Sequence, residues 1–169
     1  RDIVQKESSR SQVDEILVYA VMREESEFDP KAVSQADAFG LMQLIVPTAK
    51  TAGRELGIAI DENRLKRPSV NIAVGARVLG KLMGRFSGQV PLVAAGYNAG
   101  PGRAARWLRA WPELDLDLWV ELIEYPETRG YVKRVLESQA AYRWLYGAPS
   151  DTGPNVEPLP LQLRGNRGD

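Results

Sequence analysis

"DEILVYAVMREESEF", residues 14–28, decides how this chain folds. Val13, Ile16, Leu17, Ala20 and Val21 recur at helical spacing, and Asp14 stands where an N-cap belongs, so the pattern predicts a helix running to about Glu25. Such an apolar stripe belongs in a core. Yet it closes on three carboxylates, Glu24, Glu25 and Glu27, and an ionised carboxylate without a partner is costly to desolvate. At about 100° per residue, Glu24 continues the middle of the stripe and Glu25 falls on its flank, between Val21 and Met22. Periodicity alone makes either one buried. Two readings follow: an exposed helix end where charge meets solvent, or one carboxyl whose pKa is raised by apolar walls such as Val21 and Met22 so that it can donate a proton.

Working outward, "DPKAVSQADAFGLMQL" mixes turn formers with a short helical stretch, and "VPTAKTAGRELGI" predicts a helix beginning at Pro47 and closed at Gly57. Pro68 opens the next helix, with Ile72, Ala76, Leu79, Met83 and Phe86 along one face. "VPLVAAGYNAGPG" predicts a short buried helix from Pro91, stopped by the Asn98 to Gly102 turn cluster. "RAARWLRAW" is helical with Arg103, Arg106 and Arg109 at i+3, "LDLWVELIEY" is stopped by Pro126, and "PETRGYVKRVLESQAAYRWLY" is a final long amphipathic helix. Alternating β-branched runs are scarce, so the fold class is all-α. After Gly147 the composition shifts to Pro, Gly, Asn and Asp. The expected organisation is a lead-in helix at 1–13, a catalytic domain at 14–147 and a disordered tail or linker at 148–169.

A length of 169 residues suits one domain with a sizeable core. The 22 basic and 22 acidic side chains cancel, which argues against sequence-independent binding to nucleic acid. The arginine-studded stretch 103–109, with Trp107 and Trp111, therefore reads as a solvated helix face. The chain has neither Cys nor His. Disulfides, Cys- or His-ligated zinc, Cys nucleophiles and a Ser-His-Asp triad go with them, leaving Asp, Glu, Tyr and Lys for proton transfer. No run approaches the roughly twenty apolar residues of a membrane span, and no signal peptide is expected at Arg1.

Glu25, Glu27 and Asp29 alternate like early ligands of a calcium loop, but the sixth and twelfth positions hold Pro30 and Ala36 instead of Gly and Glu. No metal or cofactor is expected. "GYNAGPG" lacks the ending of a phosphate loop and reads alone as a helix C-terminus with a tight turn, with Tyr97 at the junction.

Taken together, "REES", "GLMQL", "TAK", "GYNAGPG" and "EYPETRGYVKRVL" occur in the order in which they stand in the catalytic domain of soluble lytic transglycosylases, relatives of goose-type lysozyme, and roughly Asp14 to Tyr146 resembles that domain. The resemblance implies a lysozyme-like helical fold with a substrate cleft. It also separates the glutamates, because the family's acid is the Glu of its Glu-Ser pair, here Glu25 before Ser26. Ser34, Gln43, Tyr97 and Glu127 match positions that would line the pocket around Glu25, with Met42, Ile45 and Asn98 in the same motifs as substrate contacts. Three departures stand out: Ile45 where many members have Met, Gly96 where Ala is common, and Asp37 where Gly is frequent.

The resemblance implies cleavage of the bond between N-acetylmuramic acid and N-acetylglucosamine in peptidoglycan strands with a single carboxyl. Protonated Glu25 would donate to the linking oxygen and then take the proton of the C6 hydroxyl as it closes on C1, leaving a 1,6-anhydro end. Most glycosidases use two carboxylates, so Glu127 could alternatively be the second carboxylate of a hydrolase of the same fold; an inactive glycan-binding module is the rival from another class. The implied location is the periplasm or cell envelope, with further domains of a longer parent chain as possible partners.

Overall fold

Asp14 sets the frame for the first half of the chain. Its side chain accepts the Ile16 N–H at 2.9 Å and starts a helix that the apolar stripe carries to Ser26. In the computed structural model, residues 2–146 are described; the expected tail at 148–169 lies outside them. Two units divide within one long helix, Arg1–Lys81 and the chain from Leu82 onward.

The first unit contains α1 (Asp2–Ser11), α2 (Glu15–Ser26), β1 (Ala38–Phe39), β2 (Leu44–Ile45), α3 (Val46–Leu56), α4 (Glu62–Leu65) and most of α5 (Pro68–Arg85). α1 lies against α2, and its last carbonyl approaches α5 so closely that a Cβ on Gly80 would meet Ser11 O at 2.1 Å. Leu17, Ala20 and Val21 of α2 are fully buried, as the stripe predicts; Val18, outside the stripe, joins them, and Ile16 is half-buried. α3 ends at Gly57 in the left-handed region (φ 70°), the stop read from the sequence. Glu55 of α3 is held by Arg77 at 2.8 Å and by Lys81, both on α5. The hydrogen bond from Lys81, then that from Arg77, hold its carboxyl below the usual glutamate value.

The all-helical expectation holds, with one local correction. The stretch around "AFGLMQL" is a hairpin instead of a short helix: β1 and β2 pair antiparallel, Ala38 with Ile45 and Phe39 with Leu44, across the turn Gly40–Gln43. Gly40 (φ 73°) and Gln43 (φ 42°) both take positive φ, which a continuing right-handed helix forbids.

The second unit holds α6 (Val90–Ala99), α7 (Pro101–Ala110), α8 (Leu116–Glu121) and α9 (Pro126–Tyr146). α6 is buried along most of its length and packs against α7 and α9. The expected turn cluster from Asn98 to Gly102 shrinks to one residue. Gly100, at φ 92° and ψ 144°, joins the two helices in a conformation essentially reserved for glycine, and Pro101 at once starts α7. Arg103, Arg106 and Arg109 are exposed, while Ala104 and Trp107 face inward. Among the described residues no helix is long and apolar enough to cross a membrane.

Candidate active site

The last turn of α2 carries Glu24 and Glu25, and both are half-buried. Neither lies in the core, contrary to periodicity alone, because the helix ends one residue later. Their neighbours Val21 and Met22 are buried. Glu25 thus follows two buried apolar side chains by four and three residues, one helical turn on, and is itself half-buried. It also sits at the carbonyl end of a helix, where the macrodipole opposes added negative charge.

The chain leaves α2 by a forced route. Glu27 caps the helix at φ 50°, its N–H donating to Arg23 O, and Phe28 follows at φ 68°. Left-handed geometry is uncommon for any side chain and an outlier for an aromatic. Ser26, between the acid and this bend, donates its hydroxyl to Leu41 O at 2.8 Å, with Met22 O at 3.2 Å as the longer alternative. The residue after Glu25 is therefore tied to the hairpin turn.

The turn is in its own right held through main-chain atoms. Gln43 Nε2 donates to Gly40 O at 2.9 Å and Ala32 O at 3.1 Å, so the side chain expected at the sugar spends its donors on bracing the loop. Ser34 Oγ accepts the N–H groups of Ala36 (3.2 Å) and Ala38 (3.1 Å), which leaves its own proton to donate. Asp37 supplies the remaining bend at φ 53°, so its departure from Gly keeps a conformation that Asp tolerates better than most residues. Ile45 is 42% exposed and available for contact. Met42, named with these residues, is wholly buried, and its sulfur occupies the space where a Cβ on Gly75 would sit, 2.2 Å away. Its part is to support the turn from beneath.

Two residues to which the motif reading gave no bracing role do much of this holding. Asn71, wholly buried at the start of α5, accepts the Met42 N–H at 2.8 Å and donates to Phe39 O (2.8 Å) and Leu65 O (2.7 Å). Ser26 is the other. The only sequence signal for Asn71 was a polar residue beside Ile72 on a face otherwise apolar.

In the second unit, Tyr97 and Asn98 occupy the last turn of α6 and are half-buried. Asn98 Oδ1 accepts the Thr128 hydroxyl at 2.7 Å, which fixes α6 to the first turn of α9. The "ETR" triplet divides its labour: Thr128 is buried on Asn98, and Arg129 reaches Glu121 O (3.2 Å) and Ile123 O (3.4 Å) behind α8. Glu127 alone is exposed, and a carboxylate in the first turn of α9 suits the positive end of that helix. Nearby, Trp107 meets Tyr125 edge-on at 5.4 Å, with the Arg103 guanidinium 5.5 Å from the Tyr125 ring. Among the described residues no group of three or more acidic side chains could hold a metal ion.

Residues 2–120 match the family model described as the transglycosylase SLT domain, and the chain belongs to that family. Among individual proteins, it is 34% identical over 149 residues to the soluble lytic murein transglycosylase of Escherichia coli, which covers 86% of this chain and 23% of that protein. An inactive Glu-to-Gln variant of the lytic transglycosylase Slt from Pseudomonas aeruginosa shares the fold with a TM-score of 0.84 at 37% identity, covering 93% of this chain and 25% of that one. The membrane-bound lytic murein transglycosylase C of Histophilus somni is 29% identical over 175 residues, covering 88% of this chain and 47% of that protein. The chain thus spans about a quarter of the length of the Escherichia coli and Pseudomonas aeruginosa relatives.

Proposed function

We propose that this chain cleaves the β-1,4 bond between N-acetylmuramic acid and N-acetylglucosamine in peptidoglycan without consuming water, with Glu25 as general acid and then general base. The observation that carries the reading is the setting of Glu25: a half-buried carboxyl one helical turn on from buried Val21 and Met22, next to a serine bonded to the hairpin turn. Protonated Glu25 donates to the glycosidic oxygen as the bond to C1 breaks. The substrate's N-acetyl group stabilises the cation, as in substrate-assisted glycosidases. Ionised Glu25 then accepts the proton of the C6 hydroxyl, whose oxygen bonds to C1 and closes the 1,6-anhydro ring. Proton count and charge balance with no second carboxylate.

Ser34, Ile45, Tyr97, Asn98 and Glu127 are assigned sugar contacts, and Gln43 combines loop bracing with contact through its amide oxygen. The substrate places the protein in the cell envelope. Relatives about four times longer support a parent chain with further domains. The Gln-for-Glu inactive variant of the Pseudomonas aeruginosa relative is the substitution expected to disarm a carboxyl acid.

Mass spectrometry of muropeptides released from purified peptidoglycan tests this directly. The wild type should release anhydro-muropeptides, and Glu25→Gln should lower the rate by about 10²- to 10⁴-fold, the usual worth of a general acid–base. Products heavier by one water would make the chain a hydrolase and bring Glu127 forward as its base.

A further inference from the structure

We infer that Asn71 is a positioning residue for the acid at the end of α2, acting through the Gly40–Gln43 turn; the inference rests on Glu25 having the role proposed above. Asn71 is wholly buried and makes three hydrogen bonds, all to main-chain atoms. Its Oδ1 accepts from the turn at Met42, and its two amide hydrogens reach the end of β1 at Phe39 and the end of α4 at Leu65. Only a primary amide offers one acceptor and two donors in that fork. Asp lacks the donors, and an apolar residue lacks all three.

The turn has no slack to find another seat. A Cβ on Gly40 would lie 2.6 Å from Asn71 Nδ2 and 2.6 Å from Leu65 O, so the main chain is pressed onto the amide. One helical turn further along α5, Met42 fills the notch left by Gly75. Asn71 and Gly75 are i and i+4, so the turn is fixed at two points on one face of one helix. Leu41, inside the segment so fixed, presents the carbonyl that receives the Ser26 hydroxyl at 2.8 Å. Ser26 follows Glu25 directly. A continuous path of contacts therefore leads from Asn71, through Met42 and Leu41, to the turn that carries Glu25, and every residue on it belongs to the first unit.

The test uses the full chain as wild type, Asn71→Ala, Asn71→Asp, Ser26→Ala and the Asn71→Ala/Ser26→Ala double variant. Asn71→Asp keeps the acceptor for Met42 and breaks only the donor side, so it serves if the alanine variant does not fold. Amide hydrogen exchange is read at residues 24–27 and 41–43, and kcat and KM are read for anhydro-muropeptide release well below the melting temperature. The expected result is faster exchange at 24–27 in each single variant. With it comes a kcat loss of about 10- to 100-fold, the scale of a misplacement of about 1 Å, with KM nearly unchanged. The double variant should be no worse than Asn71→Ala, because both changes cut one path. Faster exchange confined to 41–43, or losses in kcat that multiply, would overturn the inference and leave Asn71 a fold-stabilising residue only. If the wild type releases no anhydro-muropeptides, the functional reading fails, while exchange at 24–27 still decides whether Asn71 holds the end of α2.

Discussion

Glu27 and Phe28 stand in left-handed backbone within three residues of Glu25, and Asp37 and Gln43 repeat the conformation in the loop to which Ser26 is bonded. Each L-residue held there costs about 1–2 kcal/mol relative to right-handed backbone. Strain of this kind persists where surrounding contacts over-determine it, and it gathers at functional sites. Glu27 is exposed, so its side chain offers little packing in return. Glu27→Gly should therefore stabilise the protein by about 1 kcal/mol, raising Tm by about 2–4 °C for a domain of this size, as thermal unfolding followed by circular dichroism would show. A neutral or lower Tm would mean that the Glu27 side chain contributes as much as its backbone costs. Phe28→Gly relieves similar strain but removes a ring only 39% exposed, so its gain should be smaller. Asp37 is a milder case, since its short polar side chain suits left-handed backbone.

Among the elements, α6 shows most plainly what a small residue does. Gly96 lies inside a buried helix, where glycine costs about 1 kcal/mol against alanine. The structure gives the reason: a Cβ there would stand 2.9 Å from Phe86 Cε2 and 3.2 Å from Leu82 Cδ2. Phe86 is itself buried and cannot swing aside. Gly96→Ala should lower stability by about 1–3 kcal/mol, the usual cost of overpacking. Combining it with Phe86→Leu should recover part of that loss, a coupling of at least about 0.5 kcal/mol between neighbours. Urea titrations with an unchanged m-value would measure both. The helices themselves were legible because their apolar spacing, their prolines at α3, α6 and α9 and the glycine after α3 act locally. The hairpin was not. Its strands are two residues each, too short for alternation to appear, and "AFGLMQL" is as compatible with one helical turn as with a β-turn. For the same reason Met42 read as a contact residue: which side of a turn faces the core depends on φ at Gly40 and Gln43, and Gly40's φ is set by packing on a helix about 30 residues later. The role of Asn71 was hidden on similar grounds, since its partners are carbonyls and an amide that no side-chain pattern reports. Ser26 was legible only as part of a motif, and the structure supplies its bond.

At the scale of the whole molecule, the 22 basic and 22 acidic side chains leave no net charge, and the Glu55 carboxyl, between Lys81 and Arg77, is held below its usual value. Folding depresses its pKa, so its contribution is present above the ordinary glutamate value of 4.5 and is lost as pH falls through the folded value. The Tm difference between wild type and Glu55→Gln should therefore be seen at about pH 7, shrink as pH falls below the ordinary glutamate value and weaken in high salt, because the three side chains are partly exposed. A difference unchanged across that range would show the pair to be energetically silent. The clamp around the hairpin also has a bearing on how this protein can change over generations. Asn71, Ser26, Gln43 and Ser34 all grip peptide groups: Met42 N, Phe39 O, Leu65 O, Leu41 O, Ala32 O, Gly40 O and the N–H groups of Ala36 and Ala38. A peptide group is the same whatever side chain it carries. Mutation at exposed positions such as Val33, Ala36 or Ile45 can therefore redraw the surface offered to the proposed substrate while the scaffold beneath keeps its grip, so that diversification of preference and inheritance of the proposed chemistry are separable in this fold.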